Sequence, residues 1–366
     1  MKKVKLMDIC EPKQWKTIPI SELSQSGYPL YGANGKIGFY KEYTHEKPTL
    51  MVTCRGATCG QMHISEPRSY INGNAMAFDN IDEKEMNIKY LFYLFRKRGF
   101  KDCISGSAQP QITRQGLEKV TIEIHEKDEQ DRIVTVLDRA DSLRQKRKEQ
   151  IKLLDDFLKS KFLEMFGDPV RNEKGWNVVQ IRDVADVRIG PFGSLLHKED
   201  YVSHGIPLVN PTHIVDNKIA AGVNLTITKS KLSQLEVYKL KAGDVVLGRR
   251  GEIGRCAVVT EKEDGYLCGT GSMFVRPGKS LNQVFLGYLL SSESVKSSLE
   301  NKAIGITMKN LNAGIVKKFG IILPDWSLQN KFAKIVLLKE GIKVDIVKGK
   351  EEIEKHFSAL MQEYFR

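Results

Sequence analysis

The sequence predicts an α+β fold: two tandem globular domains, each mixed α/β with small twisted sheets, separated by two long helices packed as an antiparallel coiled coil with pseudo-two-fold symmetry. Three observations predict it. The chain is an internal duplication, with Leu117 falling on Val316 at an offset of 316 − 117 = 199 residues. Each copy closes on a stretch of roughly 40 residues whose apolar positions recur every three or four, the helical period. The length of 366 residues exceeds one ordinary core at roughly 100–200 residues per domain. The expected layout is a globular domain over 1–126, a spacer helix over 127–168, a second globular domain over 169–325 and a second spacer helix over 326–366.

The first domain and its exit set the register of the repeat. Gly27-Tyr28-Pro29-Leu30 resembles Gly205-Ile206-Pro207-Leu208, Arg55-Gly56 matches Arg250-Gly251, Met76 matches Met273, and Tyr90 to Leu94 matches Phe285 to Leu289. At the exits Leu117, Val120, Ile122 and Ile124 fall on Val316, Phe319, Ile321 and Leu323, and the alternation reads as a strand in both copies. The drift in offset from 250 − 55 = 195 to 199 places insertions in the loops of one copy, where they are tolerated.

From the exits onward the match has no gap: Gln130 on Gln329, Ile133 on Phe332, Val136 on Ile335, Leu143 on Ile342, Leu154 on Ile353, Leu158 on Phe357, Glu164 on Glu363 and Phe166 on Phe365. Chance does not hold one register that long. In the first helix Ile133, Val136, Ala140, Leu143, Ile151, Leu154, Leu158, Phe162 and Met165 make one apolar face, interrupted near Arg147, and the opposite face is charged. Asp128 with Asp131, and Ser327 with Asn330, suggest an approximate capping arrangement at the two starts. Gly167-Asp168-Pro169 stops the first helix, because glycine takes the left-handed cap and proline blocks continuation.

The second helix is expected to join no further domain. Its stripe of Phe332, Ile335, Ile342, Ile346, Ile353, Phe357, Leu360 and Tyr364 needs a partner, and the helix of equal length is the one available. Gly341 and Gly349 weaken it by up to about 1 kcal/mol each against alanine, so packing must compensate. A rod of roughly 40 residues spans about 60 Å. Domains held that far apart suit two separated pieces of one DNA duplex, since symmetry in a protein is mirrored by half-site spacing on DNA. A dimerising or scaffolding coiled-coil adaptor without DNA affinity is the alternative reading of the helices.

Composition agrees with a polyanionic partner. The 57 Lys and Arg against 45 Asp and Glu leave 57 − 45 = +12, which favours nucleic acid. The six cysteines form no C-x-x-C pair and no Cys/His cluster with zinc spacing, so free thiols in a reducing cytoplasm are expected, with no metal. The N-terminus reaches Asp8 and Glu11 before any apolar stretch, unlike a signal peptide. No run approaches the roughly 18 apolar residues of a membrane span, so a cytoplasmic protein without a membrane partner is expected.

Taken from end to end, the chain resembles the specificity subunits of type I restriction-modification systems, built as target-recognition domain, conserved helix, target-recognition domain, conserved helix. The exit signatures are similar too: Ile321-Ile322-Leu323-Pro324 followed by Gln329, and Ser105-Gly106-Ser107-Ala108-Gln109-Pro110-Gln111-Ile112 leading into the first exit strand. His125 stands where the family usually has proline, with the flanking register intact. The resemblance implies a reader of double-stranded DNA, taking one half of a bipartite asymmetric target with each domain. It also implies that the paired helices, through positions such as Ile133, Leu143, Leu154, Phe162, Ile335, Ile353 and Phe357, dock two methyltransferase (modification) subunits. Restriction/translocase subunits then join. The chain itself is expected to hold no cofactor and no catalytic residue, with S-adenosylmethionine and ATP/Mg bound by the partner subunits.

Base reading needs long polar side chains that reach groove edges, Arg to guanine and Asn or Gln to adenine. In the first domain the expected contacts are Gln109, Gln111, Thr113 and Arg114 beside a Gly-Ser loop, then Arg55 and Lys36, each next to glycine. In the second they are Arg249, Arg250 and Arg255 with Thr307, Lys309 and Asn310 of the corresponding exit loop. Against a self-contained methyltransferase or nuclease, Asn210-Pro211-Thr212-His213 lacks the second proline and the aromatic residue that stacks a flipped base. Gly278-Lys279-Ser280 lacks the first glycine of a P-loop, Asp155-Asp156 fits a solvated helix face, and no His pair has H-x-x-x-H spacing.

Overall fold

The computed structural model describes residues 1–106, 109–251, 253–305 and 310–366. It divides into two compact units, Met1–Glu149 with Ile346–Arg366, and Gln150–Asp345. Each unit combines one globular domain with half of each long helix.

The first unit runs β1 (Lys2–Lys5), β2 (Glu11–Gln14), β3 (Tyr28–Gly32), β4 (Gly35–Tyr40), β5 (Leu50–Thr53), β6 (Met62–Ile64), β7 (Tyr70–Ile71), β8 (Ala75–Asp79), α1 (Ile88–Arg98), β9 (Ile104–Ser105), β10 (Gln111–Ile112), α2 (Arg114–Leu117), β11 (Thr121–Ile124) and the first part of α3 (Lys127–Phe166). Its central sheet is antiparallel in the order β2-β8-β5-β6. Side chains alternate across a strand, and here both faces are covered. Leu50, Val52, Met76 and Phe78 join the main core with Tyr90, Leu91 and Phe95 of α1, while Met51, Ala75 and Ala77 meet Tyr31 and Ile71 on the other face. Each large side chain so buried contributes about 1.5–3 kcal/mol. β3 pairs antiparallel with β4 and parallel with β7, and β1 pairs with β11.

The second unit takes the rest of α3, then β12 (Val178–Gln180), α4 (Ile181–Val184), β13 (Ala185–Ile189), β14 (Tyr201–Val202), β15 (Ile206–Val209), β16 (Ile214–Val215), β17 (Lys218–Ile219), β18 (Thr226–Ile227), α5 (Lys229–Gln234), β19 (Val245–Gly248), β20 (Cys256–Val258), β21 (Leu267–Cys268), β22 (Ser272–Pro277), α6 (Gln283–Ser291), α7 (Glu293–Lys302), α8 (Ala313–Lys317), β23 (Gly320–Ile322) and the first part of α9 (Trp326–Tyr364). The connectivity of the central sheet repeats that of the first unit, whereas the flanking strands differ, β15 pairing antiparallel with β18 where β3 pairs with β4. The central sheet is β13-β22-β19-β20, β15 runs parallel to β21 as β3 does to β7, and β12 pairs with β23. The two-faced alternation repeats as well, with Val245, Leu247, Met273 and Val275 in one core and Val246 and Phe274 in another.

The exit segment differs from the all-strand expectation. Residues 114–117 and 313–317 form short helices, because Thr113 Oγ1 accepts from Gly116 N and Asn312 Oδ1 accepts from Ile315 N. The Leu117–Val120 step is a helical spacing of three, and the spacing of two runs from Val120 through Ile122 to Ile124. At the long-helix starts, Asp131 and Asn330 do not close a capping box; they accept from the side-chain amides of Asn87 (2.7 Å) and Asn282 (2.8 Å), which cap α1 and α6. Gly167 ends α3 at φ 74°, its N–H on Leu163 O.

Within each unit the long helices pack antiparallel. In the first, Arg144 reaches Glu354 Oε2 at 2.8 Å while Ile133, Val134 and Leu137 meet Phe357 and Met361. In the second, Asp155 takes Lys339 at 2.6 Å and Lys343 at 3.0 Å, and further along Phe162 meets Phe332 with ring centroids 5.3 Å apart. The seam is not the all-apolar stripe expected. Leu143 and Ile342 are 51% and 50% exposed, whereas Arg144 and Lys339 are buried. Seven-residue steps from Leu137 pass through Arg144, Ile151 and Leu158, and those from Phe332 pass through Lys339, Ile346 and Ile353. A seam that advances by heptads therefore takes Arg144 and Lys339 inside and leaves the neighbouring aliphatic turned away. Their methylene stems pack while the charges find carboxylates.

Candidate nucleic-acid interface

In the first unit the turn that leaves β5 meets the exit loop. Arg55 and Gln111 form an antiparallel bridge, Gly56 N donates to Pro110 O (3.2 Å), and Ile112 N donates to Cys54 O (3.0 Å). Arg55, Gln109, Gln111, Thr113 and Arg114 are all exposed along these two segments. Thr113 is half committed, since its Oγ1 caps α2 and only the hydroxyl hydrogen is left to give. Lys36 stands on the β3–β4 hairpin, bonded to Glu66 Oε1 at 3.1 Å and lying over the Phe39 ring. A phosphate at Lys36 must compete with that carboxylate.

The second unit repeats the pairing. Arg250, exposed at the end of β19, bridges Asn310, and Leu311 N donates to Arg249 O at 2.9 Å. Arg249 itself is only 6% exposed. Its Nε donates to Asn310 Oδ1 (3.2 Å), and among the described residues its Nη1 has no hydrogen-bond partner. Burial, with the Arg250 charge beside it, pushes the Arg249 guanidinium below its ordinary range. Arg249 is thus placed to hold the exit loop rather than to reach a groove. Arg255 also turns inward, its Nη1 at 3.3 Å from Ile214 O and 3.5 Å from Pro211 O. Thr307 and Lys309 lie outside the described residues, as do Ser107 and Ala108 of the first exit loop.

The two turns share a frame and differ in content. Cys54 O and Arg249 O accept the same exit-loop bond, so a buried thiol in one unit stands where a buried guanidinium stands in the other. The frame is held by a glutamine whose role the sequence showed only as a repeat match. Gln130 accepts from Asn87 N and donates to Glu85 O and His125 O; Gln329 accepts from Asn282 N and donates to Ser280 O and Pro324 O. His125 therefore serves the frame as proline does, through its backbone carbonyl, and adds contacts that a proline could not make, its N–H donating to the Tyr90 hydroxyl (3.2 Å) and its Nδ1 lying 2.8 Å from the same oxygen.

On the long helices, Ile133, Phe162 and Phe357 are buried in the units' own cores, Leu154, Ile335 and Ile353 are half-buried, and Leu143 is exposed. The Asn210–His213 segment is a loop brace, with Asn210 Oδ1 accepting from Gly271 N (3.4 Å) and His213 Nδ1 bonded to Leu208 O (2.8 Å). Among the described residues no group of three His, Cys, Asp or Glu side chains is placed to hold a metal, and no helix is long and apolar enough to cross a membrane. All six cysteines are free thiols.

The family model for the type I restriction modification DNA specificity domain matches residues 1–153 and 173–355, one stretch per copy of the repeat. The chain belongs to the specificity-subunit family of type I restriction-modification systems. This specificity subunit is 23% identical over 340 residues to the type I restriction enzyme MjaVIII specificity subunit of Methanocaldococcus jannaschii, covering 88% of this chain and 79% of the relative. To the MjaIX specificity subunit of the same organism it is 30% identical over 190 residues, 46% of this chain and 43% of that one. A crystal structure of the type I system S subunit from M. genitalium superposes with a TM-score of 0.67 at 14% identity, covering 100% of this chain and 96% of that one. A structure determined for complex assembly and conformational transition of the type I system gives 0.56 at 17% identity, covering 100% and 97%. These two show a shared fold. The specificity subunit is the DNA-recognition component of its system, and its paired turns and exit loops bring exposed Arg55, Gln109, Gln111 and Arg114 together in one copy and exposed Arg250 beside half-buried Asn310 in the other.

Proposed function

We propose that this chain reads a bipartite target on double-stranded DNA, one half-site with each domain, and that its own chemistry is binding alone. The observation that supports this most directly is the repeated pairing of a turn arginine with an exit-loop amide, Arg55 with Gln111 and Arg250 with Asn310, on equivalent strand ends. Arg matches guanine O6/N7 and Asn or Gln matches adenine N6/N7, so each pairing carries the two side-chain types that discriminate bases in the major groove. The excess positive charge of +12 supplies the phosphate attraction that positions such a reader.

Two methyltransferase subunits dock along the long helices and restriction/translocase subunits join them in the cytoplasm. S-adenosylmethionine and ATP/Mg are held by those partners. The test is to express the full chain with its modification subunits and map methylated adenines across a host genome. A two-part motif that disappears when this chain is omitted is expected. Methyl incorporation by the isolated chain with labelled S-adenosylmethionine, or binding to duplex DNA that does not weaken with salt, would overturn the reading.

A further inference from the structure

We propose that the tip of the β3–β4 hairpin is a specificity-determining element of the first domain and that Asn34 reads an adenine edge there; the inference rests on the DNA-reading function above. The hairpin closes in two residues, Ala33 and Asn34, between the paired Gly32 and Gly35. Gly35 at φ 80° permits so tight a turn. The tip is tied to the reading turn from beneath. Thr53 Oγ1 donates to Ala33 O at 2.7 Å, and the Thr58 hydroxyl, 3.0 Å from the same carbonyl and 3.1 Å from Asn34 Oδ1, places its hydrogen between the two. Thr53 and Thr58 flank the turn that carries Arg55, whose other side is bonded to the exit loop through Gly56 and Pro110.

Three chain segments thus form one surface: hairpin tip, turn and exit loop. Asn34 is exposed on it. Its anchoring uses Oδ1, which keeps a second lone pair, while the Nδ2 donors take no part. An amide oriented at one end and open at the other suits the adenine pair of N7 acceptor and N6 donor. A side chain already held by its own protein loses less freedom on binding than a free one. The second unit ties its corresponding loop by other means, with Arg255 on the Pro211 and Ile214 carbonyls and Asn210 turned inward onto Gly271. The element is therefore asymmetric, as a reader of two different half-sites requires.

The experiment uses the full chain with its modification subunits in cells, with methylated motifs mapped for wild type, Asn34→Ala and Asn34→Asp. A wild-type complex that methylates no bipartite motif would remove the proposed function itself. Given a wild-type motif, Asn34→Ala is expected to relax one adenine position of one half-site by about tenfold or more. Asn34→Asp, which keeps the acceptor and lacks the donors, should shift the same position toward cytosine. The other half-site, unchanged in both variants, reports that the chain is folded. Both variants keeping the wild-type motif, or both lowering methylation at all sites alike with no change at any position, would overturn the inference.

Discussion

Arg249 places its Nε 3.2 Å from Oδ1 of Asn310, joining the end of β19 to an exit loop 61 residues away in sequence. A buried guanidinium with an unpaired Nη1 is tolerated only while its remaining bonds hold.

Removing the acceptor should therefore hurt more than removing the charge. Asn310→Ala leaves a buried cation with fewer partners and is expected to destabilise the chain by about 1–3 kcal/mol. Arg249→Met retains the volume of the stem and strands no donor, so it should cost less. Urea unfolding of the two variants decides the order, and a larger loss for Arg249→Met would contradict it.

The glutamine staples predict matched behaviour. Gln130→Ala and Gln329→Ala each leave an asparagine N–H and two carbonyls without their partner, at about 1–3 kcal/mol for each group so stranded. Both are expected to lower the thermal midpoint by similar amounts. A loss in one copy alone would mean that the two frames are not energetically equivalent.

The helix seam predicts an acid limb. Burial opposes the charge on Asp155, but hydrogen bonds from Lys339 and Lys343 outweigh it and hold the carboxyl below its usual range. Glu354 is held low chiefly by its hydrogen bond from Arg144. A carboxyl with a lower pKa in the folded state stabilises fully above its unfolded value and loses that contribution as the pH falls through the folded one. Stability should be level toward neutrality and decline below roughly pH 4. Asp155→Asn should be less stable than wild type at pH 7 and the gap should narrow by pH 3; a gap that stays constant would exclude the ion pair as its source.

The division of the target predicts one-sided specificity changes. Gln111→Ala and Arg250→Ala are each expected to weaken binding by about 1–3 kcal/mol and to relax one position, in opposite half-sites. Footprinting on a panel of single-base variants reads this directly. One substitution that relaxed both halves would contradict independent readers.

The duplication and the stop of the first long helix were legible in the sequence because each leaves a local or periodic trace. Leu158 on Phe357 and Gln130 on Gln329 are matches at a constant offset, and Gly167-Asp168-Pro169 stops a helix by its own backbone preferences. Which of the candidate residues are exposed was legible only in part. Arg55 and Gln111 are brought together as a pair, whereas Arg249 and Arg255, similar to Arg250 on paper, turn inward.

By itself the sequence determined that this protein is two copies of one reader, each ending in a long helix, since residue spacing along the chain encodes period, repeat and stop. Only the tertiary structure decided which side chain of each copy is exposed and which is enclosed. Arg144 rather than Leu143 enters the seam because packing between helices follows a heptad, and Cys54 and Arg249 share one buried position because a bond from the distant exit loop defines it. Burial is set by what arrives from elsewhere in the chain, and no local spacing records that arrival.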